Sequence, residues 1–178
     1  MLDELSLTAP QAARRLLGCH IERTLPNKQK ITVKICETES YTEQDQSSHS
    51  YKGITKRNKV MFGPPGFAYV YIIYGMHFCL NVSCGPTGAG EAVLIRAADP
   101  LVQSTHLGPT NGPAKLCKAL LIDKSFDGHN LSQQPLRLIM RPEINPKDII
   151  TTERIGISKA THRKWRFYIK DSQFVSRK

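Results

Sequence analysis

The feature that most constrains the fold is residues 67–81, Phe-Ala-Tyr-Val-Tyr-Ile-Ile-Tyr-Gly-Met-His-Phe-Cys-Leu-Asn. Two runs rich in aromatic and β-branched residues lie on either side of Gly75. This pattern predicts a β-hairpin with the glycine at its turn. Tyr69 and Tyr71 are two positions apart, so they would share one face of the first strand. Of the two, Tyr69 is expected in the core.

The tip of this hairpin has two interpretations. Aromatic stripes most often belong to a core, which would make the whole hairpin buried. Two residues nevertheless flank the predicted turn, where the chain should face solvent: Tyr74 and Met76. An exposed aromatic residue at a turn is a candidate contact residue, so the tip is a possible binding element as well as a turn.

The charge of the chain favours a polyanionic partner. Hydrophobic residues make up an ordinary 40% of the 178 residues, but 25 Lys/Arg against 15 Asp/Glu give a net charge of +10. Such an excess is typical of proteins that bind DNA, RNA or an anionic membrane. A local basic segment without acidic residues supplies candidate contacts to a DNA backbone: Lys52, Lys56, Arg57 and Lys59. The alternative for such a segment is a solvated face.

Several classes of protein are disfavoured by the sequence. No apolar stretch reaches the roughly 20 residues of a membrane-spanning helix, and Asp3 and Glu4 do not suit a signal peptide. The five cysteines form no Cys-x-x-Cys pair, so neither a disulfide framework nor a zinc site is indicated. The six histidines lack metal-ligand spacing. We therefore expect an intracellular protein without a metal or cofactor.

The remaining elements predict a mixed α/β (α+β) fold in one compact domain over residues 1–178. Strands grouped in hairpins, rather than alternating with helices, indicate a mostly antiparallel curved sheet with surrounding helices. Thr8 can cap a first helix that Gly18 ends. The other predicted helices cover residues 55–61 and 113–121, and the other strands residues 19–25, 91–97, 136–140 and 165–170, with a further strand from Lys30 onward.

The strand that begins at Lys30 contains a conflict. Its alternation places three aliphatic residues and then two glutamates and a tyrosine on one face: Ile31, Val33 and Ile35, followed by Glu37, Glu39 and Tyr41. A regular strand would bury two carboxylates, which is costly unless they are paired, hydrogen-bonded or functional. The alternative, which the pattern alone favours, is that the strand ends or bulges at Cys36 and both glutamates are solvated. Arg96, at the end of a buried strand, must likewise find a carboxylate, a phosphate or solvent.

Together these parts match the needs of an enzyme that acts on a base flipped out of DNA. A basic surface binds phosphates, tyrosines can stack on bases, and a carboxylate in an aromatic pocket can activate water. Extruding a base costs a few kcal/mol, and the vacated space must then be filled. Composition indicates this class without proving it.

Long blocks across nearly the whole chain resemble the alkyladenine (3-methyladenine) DNA glycosylases. They include Glu37-Thr-Glu-Ser-Tyr41, Asp45-Gln-Ser-Ser-His-Ser50, residues 69–81, Gly112-Pro-Ala-Lys-Leu-Cys117 and Arg154-Ile-Gly-Ile157. The resemblance implies a monofunctional enzyme that flips a damaged purine from duplex DNA and hydrolyses its N-glycosidic bond, leaving an abasic site. Water is the nucleophile, so no cofactor is implied. The expected partner is double-stranded DNA with a damaged purine, bound by a monomer inside the cell.

The resemblance also implies roles for single residues. Glu39 would be the general base, with Arg96 near the attacking water. Four residues would form the base pocket: Tyr41 and Tyr71 stacked on the base, His49 touching the base or its sugar-phosphate, and Asn81 rejecting the 2-amino group of guanine. Tyr74 would enter the vacated space, with Met76 beside it at the intercalating tip. His77 departs from the tyrosine common at this position in the family, and Glu37 receives no role beyond a structural ion pair.

Two other functions stay open at this point. One is a basic nucleic-acid-binding module with this fold but without chemistry, against which the complete set of pocket residues counts. The other is a glycosidase or transferase that acts on free nucleosides or RNA, for which the basic surface would have no use. The substrate range, from 3-methyladenine to hypoxanthine and etheno-adenine, depends on pocket shape and is not settled by sequence.

Overall fold

The computed structural model describes residues 2–101 and 108–177. Within them, eight strands form one antiparallel sheet, joined by two α-helices and four short 3-10 helices. The strands are β1 (His20–Thr24), β2 (Lys30–Tyr41), β3 (Ala68–Ile73), β4 (His77–Cys84), β5 (Glu91–Pro100), β6 (Leu136–Ile139), β7 (Ile149–Thr152) and β8 (Arg166–Ile169). The helices are α1 (Ala9–Leu16) and α2 (Pro113–Ala119). The predicted α+β class with a curled antiparallel sheet is confirmed.

The sheet order is β3-β4-β5-β2-β1-β6, with β8 pairing to both β2 and β7. Helix α1 follows Thr8, whose backbone N–H donates to the Gln11 side chain at 3.2 Å, and Gly18 adopts a φ of +80° just beyond its end. The apolar side of α1 is fully buried: Ala9, Ala12, Ala13 and Leu16. These residues join the aliphatic residues of β2, β4 and β5 in the main core.

The β3–β4 hairpin forms as predicted. Ile73 pairs with His77, and the Met76 N–H donates to the Ile73 carbonyl at 3.2 Å. Tyr74 and Gly75 occupy the centre of the turn with φ values of +50° and +70°. Positive φ at both central positions is the requirement of a type I′ turn, and the pairing of Ile73 with His77 leaves a three-residue loop, 74–76.

One local prediction is wrong, and one strand was not predicted. Residues 55–58 form a turn, and the predicted helix over residues 55–61 is a 3-10 helix at Lys59–Phe62. The Thr55 N–H donates to Asn58 Oδ1 at 2.6 Å and the Asn58 N–H to Thr55 Oγ1 at 3.3 Å, so the two side chains bond the backbone of a turn instead. Strand β7, Ile149–Thr152, has too short an apolar run to be predicted from sequence.

The expectation that Glu37 and Glu39 share a face with Ile35 is also wrong, because a bulge reverses the alternation of β2. Its register with β5 shifts between Ile35 and Glu37 and again between Glu37 and Thr38. Ile35 lies in the main core with α1, and the Thr38 hydroxyl donates to the Ala13 carbonyl of α1 at 2.9 Å. Both glutamates therefore face the opposite side of the sheet. The alternative is thus right about a bulge at Cys36 but wrong about two solvated carboxylates, because both glutamates are fully buried.

Candidate active site

A cavity of about 360 Å³ opens on the face of the sheet opposite α1. Its volume lies within the range of small-molecule pockets. Six of the predicted site residues line it: Tyr41, His49, Tyr71, Tyr74, Asn81 and Arg96. They come from β2, the loop after β2, the β3–β4 hairpin and β5, which explains why no compact sequence motif contains them.

Glu39 lies directly behind the cavity wall. Its Oε1 accepts the Ile155 N–H at 2.8 Å and is 3.3 Å from Arg96 Nη1, and its Oε2 accepts the Tyr41 hydroxyl at 2.8 Å. All three partners line the cavity, whereas the carboxylate itself is fully buried. Burial raises the pKa of Glu39, and Arg96, the Ile155 N–H and the Tyr41 hydroxyl partly oppose that rise.

Arg96 and Glu37 extend this arrangement away from the cavity. Arg96 Nε donates to Glu37 Oε1 at 3.1 Å, so the arginine lies between the two carboxylates of β2. Glu37 also accepts Arg166 Nε at 2.6 Å, and the Ser176 N–H and hydroxyl at 2.6 and 2.9 Å. Two carboxylates and two guanidinium groups thus balance in charge, as buried ionic groups require.

The aromatic wall consists of His49, Tyr69 and Tyr71. His49 Nδ1 lies 2.8 Å from the Tyr69 hydroxyl, and its ring meets Tyr71 edge to face at a centroid distance of 4.5 Å. Burial raises the pKa of Tyr69 to about 12 and also raises that of Tyr71, so both phenols stay neutral. Partial burial and the nearby Arg57 charge lower the pKa of His49. Tyr69, expected in the core, is buried but also lines the cavity.

Asn81 occupies the floor of the cavity between β3 and β5. It pairs with Tyr69 and Leu94 across the sheet, and its Nδ2 donates to the Tyr69 carbonyl at 3.1 Å. This hydrogen bond fixes the orientation of the buried amide. A base that enters the cavity would therefore meet a rigid polar group rather than an adaptable one.

Sequence reasoning gave no role to Arg154, which supports the cavity from behind. Its Nη1 donates to the Ser40 carbonyl at 3.0 Å and pairs with Asp45, and both side chains of this pair are fully buried. The guanidinium lies 4.7 Å from the Tyr41 ring centroid, so it packs behind a wall residue, and the next residue is the Ile155 that bonds Glu39. In the sequence, only the block Arg154-Ile-Gly-Ile157 indicated that Arg154 matters. That block does not show where the Arg154 side chain lies in the fold.

The rim of the cavity is aromatic and basic. Tyr74 is 88% exposed and Met76 70%; Tyr74 also lines the cavity, whereas Met76 does not. The Arg57 guanidinium lies 5.6 Å from the centroid of the Tyr71 ring. The other predicted backbone contacts are exposed side chains nearby in the chain: Lys52, Lys56 and Lys59.

The described part of the chain contains no cluster of three or more His, Cys, Asp or Glu that could hold a metal ion. No helix in residues 2–101 or 108–177 has the length and apolar character needed to cross a membrane.

A buried carboxylate behind an aromatic cavity, with a basic rim, fits a hydrolase that acts on a single base of a nucleic acid. The sequence model of the methylpurine-DNA glycosylase family matches residues 3–173. The chain therefore belongs to this family, and the predicted enzyme class, a DNA glycosylase of base excision repair, is confirmed.

Relatives of similar length support this assignment. A protein of Methanoculleus marisnigri is 44% identical, with 93% of this chain and 92% of the relative covered. One of Carboxydothermus hydrogenoformans is 43% identical with the same coverage, and one of Francisella tularensis is 42% identical over 98% of this chain and 96% of the relative. All three carry the name "Putative 3-methyladenine DNA glycosylase".

Proposed function

We propose that this protein flips alkylated purines, 3-methyladenine foremost, out of duplex DNA and hydrolyses the N-glycosidic bond with water activated by Glu39. The observation that carries the proposal is the Glu39 carboxylate, which is buried immediately behind an aromatic cavity large enough for a base. The family and the names of the relatives support the substrate class. The enzyme would act as a monomer, in the compartment of the cell that contains the DNA.

The bonding of Glu39 supports its role as general base. Each carboxylate oxygen has two lone pairs. Oε1 already receives the Ile155 N–H and lies beside Arg96, whereas Oε2 accepts only the Tyr41 hydroxyl among the described residues. Because Glu39 is fully buried, the water would have to enter between Tyr41, Arg96 and Ile155, where the free lone pair of Oε2 can take its proton.

The proposed reaction needs no other group. The water oxygen attacks C1′, the C1′–N bond breaks, its electron pair leaves with the base, and Glu39 takes the water proton. The transition state resembles an oxocarbenium ion, which the carboxylate stabilises. 3-Methyladenine carries a positive charge in DNA and leaves as a neutral base, so it requires no general acid.

The walls suit a cationic purine. The faces of Tyr41 and Tyr71 would stack on either side of the flipped base, where electron-rich rings attract a cation. His49, with its lowered pKa, is neutral at physiological pH and can accept a hydrogen bond from the base or sugar. Asn81, with its amide fixed by Tyr69, would crowd the 2-amino group of guanine.

The rim suits duplex DNA. Tyr74 projects from the tip of a paired hairpin and would fill the space that the flipped base leaves, with Met76 beside it. The exposed basic residues of the segment 52–59 would bind phosphates on either side of the lesion. A damaged base pairs or stacks poorly, so its flipping cost is lower than that of an intact base.

The test is Glu39→Gln, with Glu22→Gln as the control. Gln keeps the shape but cannot accept the water proton, so release of 3-methyladenine from alkylated DNA under single-turnover conditions should fall by about 10²–10⁴-fold. DNA affinity should be unchanged. Glu22 lies in β1, where it pairs with Lys30 and Arg137, and its variant should retain full activity. Undiminished release by Glu39→Gln would remove Glu39 from the reaction.

The range beyond alkylated purines follows from leaving-group chemistry. Hypoxanthine and etheno-adenine are uncharged in DNA, so without protonation they would leave as anions. Their excision therefore needs protonation of the base or tighter positioning. A panel of single-lesion duplexes, measured under the same single-turnover conditions, separates a narrow enzyme from a broad one.

A further inference from the structure

Glu37 is the most heavily bonded acidic side chain around the site, although it does not line the cavity. Its Oε1 receives Arg96 Nε, Arg166 Nε and the Ser176 hydroxyl, and its Oε2 receives the Ser176 N–H at 2.6 Å. The side chain is fully buried. The proposed chemistry uses Glu39 and Arg96 but leaves this neighbouring carboxylate unexplained.

The bonds of Arg96 divide in two directions. Nε points to Glu37 and Nη2 donates to the Ser176 hydroxyl at 3.3 Å, so two of its three nitrogens bind behind the site. Only Nη1 faces Glu39, at 3.3 Å from Oε1. We propose that Glu37 is a positioning residue of the glycosylase reaction, which with Ser176 holds the Arg96 guanidinium so that one edge alone reaches Glu39.

The physical reason is competition for the arginine. An arginine and a carboxylate prefer a two-point pairing with two parallel N–H···O bonds. Without Glu37, the Arg96 guanidinium can turn and pair with Glu39 in this way. It would then occupy the free lone pair of Oε2 and weaken the carboxylate as a base. Glu37 prevents this rotation because it fixes the opposite edge of the guanidinium.

The surrounding residues fit this function. Arg166 supplies a second positive charge to Glu37. Glu37 can therefore bind Arg96 while the two carboxylates and two guanidinium groups stay balanced in charge. Ser176 bridges the two partners, since its hydroxyl donates to Glu37 and accepts from Arg96. Ser176 follows Arg96 by 80 residues in the chain, and the segment around it thereby helps to hold Arg96 in place.

A double-mutant cycle on the intact chain tests the proposal, which rests on the proposed glycosylase function. Glu37→Gln and Ser176→Ala are each measured alone and combined with Arg96→Ala, using single-turnover release of 3-methyladenine from alkylated DNA. Misplacement of a catalytic group by about 1 Å can cost on the order of 10²-fold. Glu37→Gln should thus lower the rate constant about 10–100-fold and Ser176→Ala several-fold, with DNA affinity unchanged. Glu37→Asp, which keeps the charge, should recover part of the rate.

The combined variants decide between positioning and a general structural role. If Glu37 acts through Arg96, Glu37→Gln has little further effect in the Arg96→Ala background. The same fold loss in both backgrounds, or a rate within twofold of wild type for folded Glu37→Gln, overturns the proposal. If circular dichroism shows that Glu37→Gln does not fold, Ser176→Ala decides by the same two criteria. Full activity of Glu39→Gln would instead refute Glu39 as the general base. The double-mutant cycle would still measure separately whether Glu37 acts through Arg96.

Discussion

At the scale of single residues, the surroundings of Glu39 set the pH dependence of the proposed reaction. Glu39 faces one arginine, one hydroxyl and one N–H, and burial raises its pKa above the ordinary value of about 4.3. A general base must be ionised, so the single-turnover rate constant for 3-methyladenine should fall as the pH drops through this raised pKa. The already cationic substrate adds no protonation step of its own. A rate that stays flat from pH 7 to pH 4.5 would contradict this assignment.

The Arg154–Asp45 pair permits a prediction of stability at the same scale. Arg154→Ala leaves the Asp45 carboxylate buried without its cation and empties the space behind Tyr41, so the free energy of unfolding should drop by about 3–5 kcal/mol. Lys34→Ala is the control, because the Lys34–Asp99 pair is partly exposed and should be worth less than about 1 kcal/mol. Urea denaturation measures both. Equal losses in the two variants would show that burial does not set the strength of the Arg154 pair.

The β3–β4 hairpin and β2 mark what sequence could and could not predict at the scale of elements. The hairpin was predictable because its turn, pairing and side-chain alternation are all local properties. The sequence offered a bulge of β2 at Cys36 only as one alternative, with solvated glutamates, because the outcome is fixed by distant partners: Ala13 holds Thr38, while Arg166 and Ser176 hold Glu37. Likewise, the residues that line the cavity could be named only through family resemblance, since the curl of the sheet brings them together.

The turn of this hairpin gives a prediction for the element as a whole. Gly75 has a φ of +70°, and a Cβ added there would meet no atom within 4 Å. Gly75→Ala should therefore cost only the backbone strain of the left-handed region, about 1–2 kcal/mol of unfolding free energy. Thermal or urea unfolding measures this cost. A change of less than about 0.5 kcal/mol would mean that Ala accepts the turn without strain.

Charge and fold combine at the scale of the whole molecule. Composition gives the net charge of +10, but it does not show which basic side chains lie beside the cavity. The fold makes that distinction: Arg57 stands over Tyr71 at the rim, whereas Arg14 belongs to α1 on the opposite side of β2. If DNA is attracted only by the net charge, Arg57 and Arg14 should contribute equally to DNA binding. If DNA docks on the rim of the cavity, Arg57 should contribute and Arg14 should not.

The salt dependence of DNA binding separates these two cases. The logarithm of the association constant falls with the logarithm of salt concentration by about 0.9 for each phosphate that the protein neutralises. Arg57→Ala should reduce the magnitude of this slope by about 1 and weaken binding similarly for damaged and undamaged duplexes, because a phosphate contact carries no base specificity. Arg14→Ala should leave the slope unchanged. Fluorescence anisotropy between about 50 and 200 mM salt, the range over which phosphate contacts change affinity strongly, provides the slopes. An equal reduction in both variants would mean that DNA responds to the total charge of the protein rather than to the rim of the cavity.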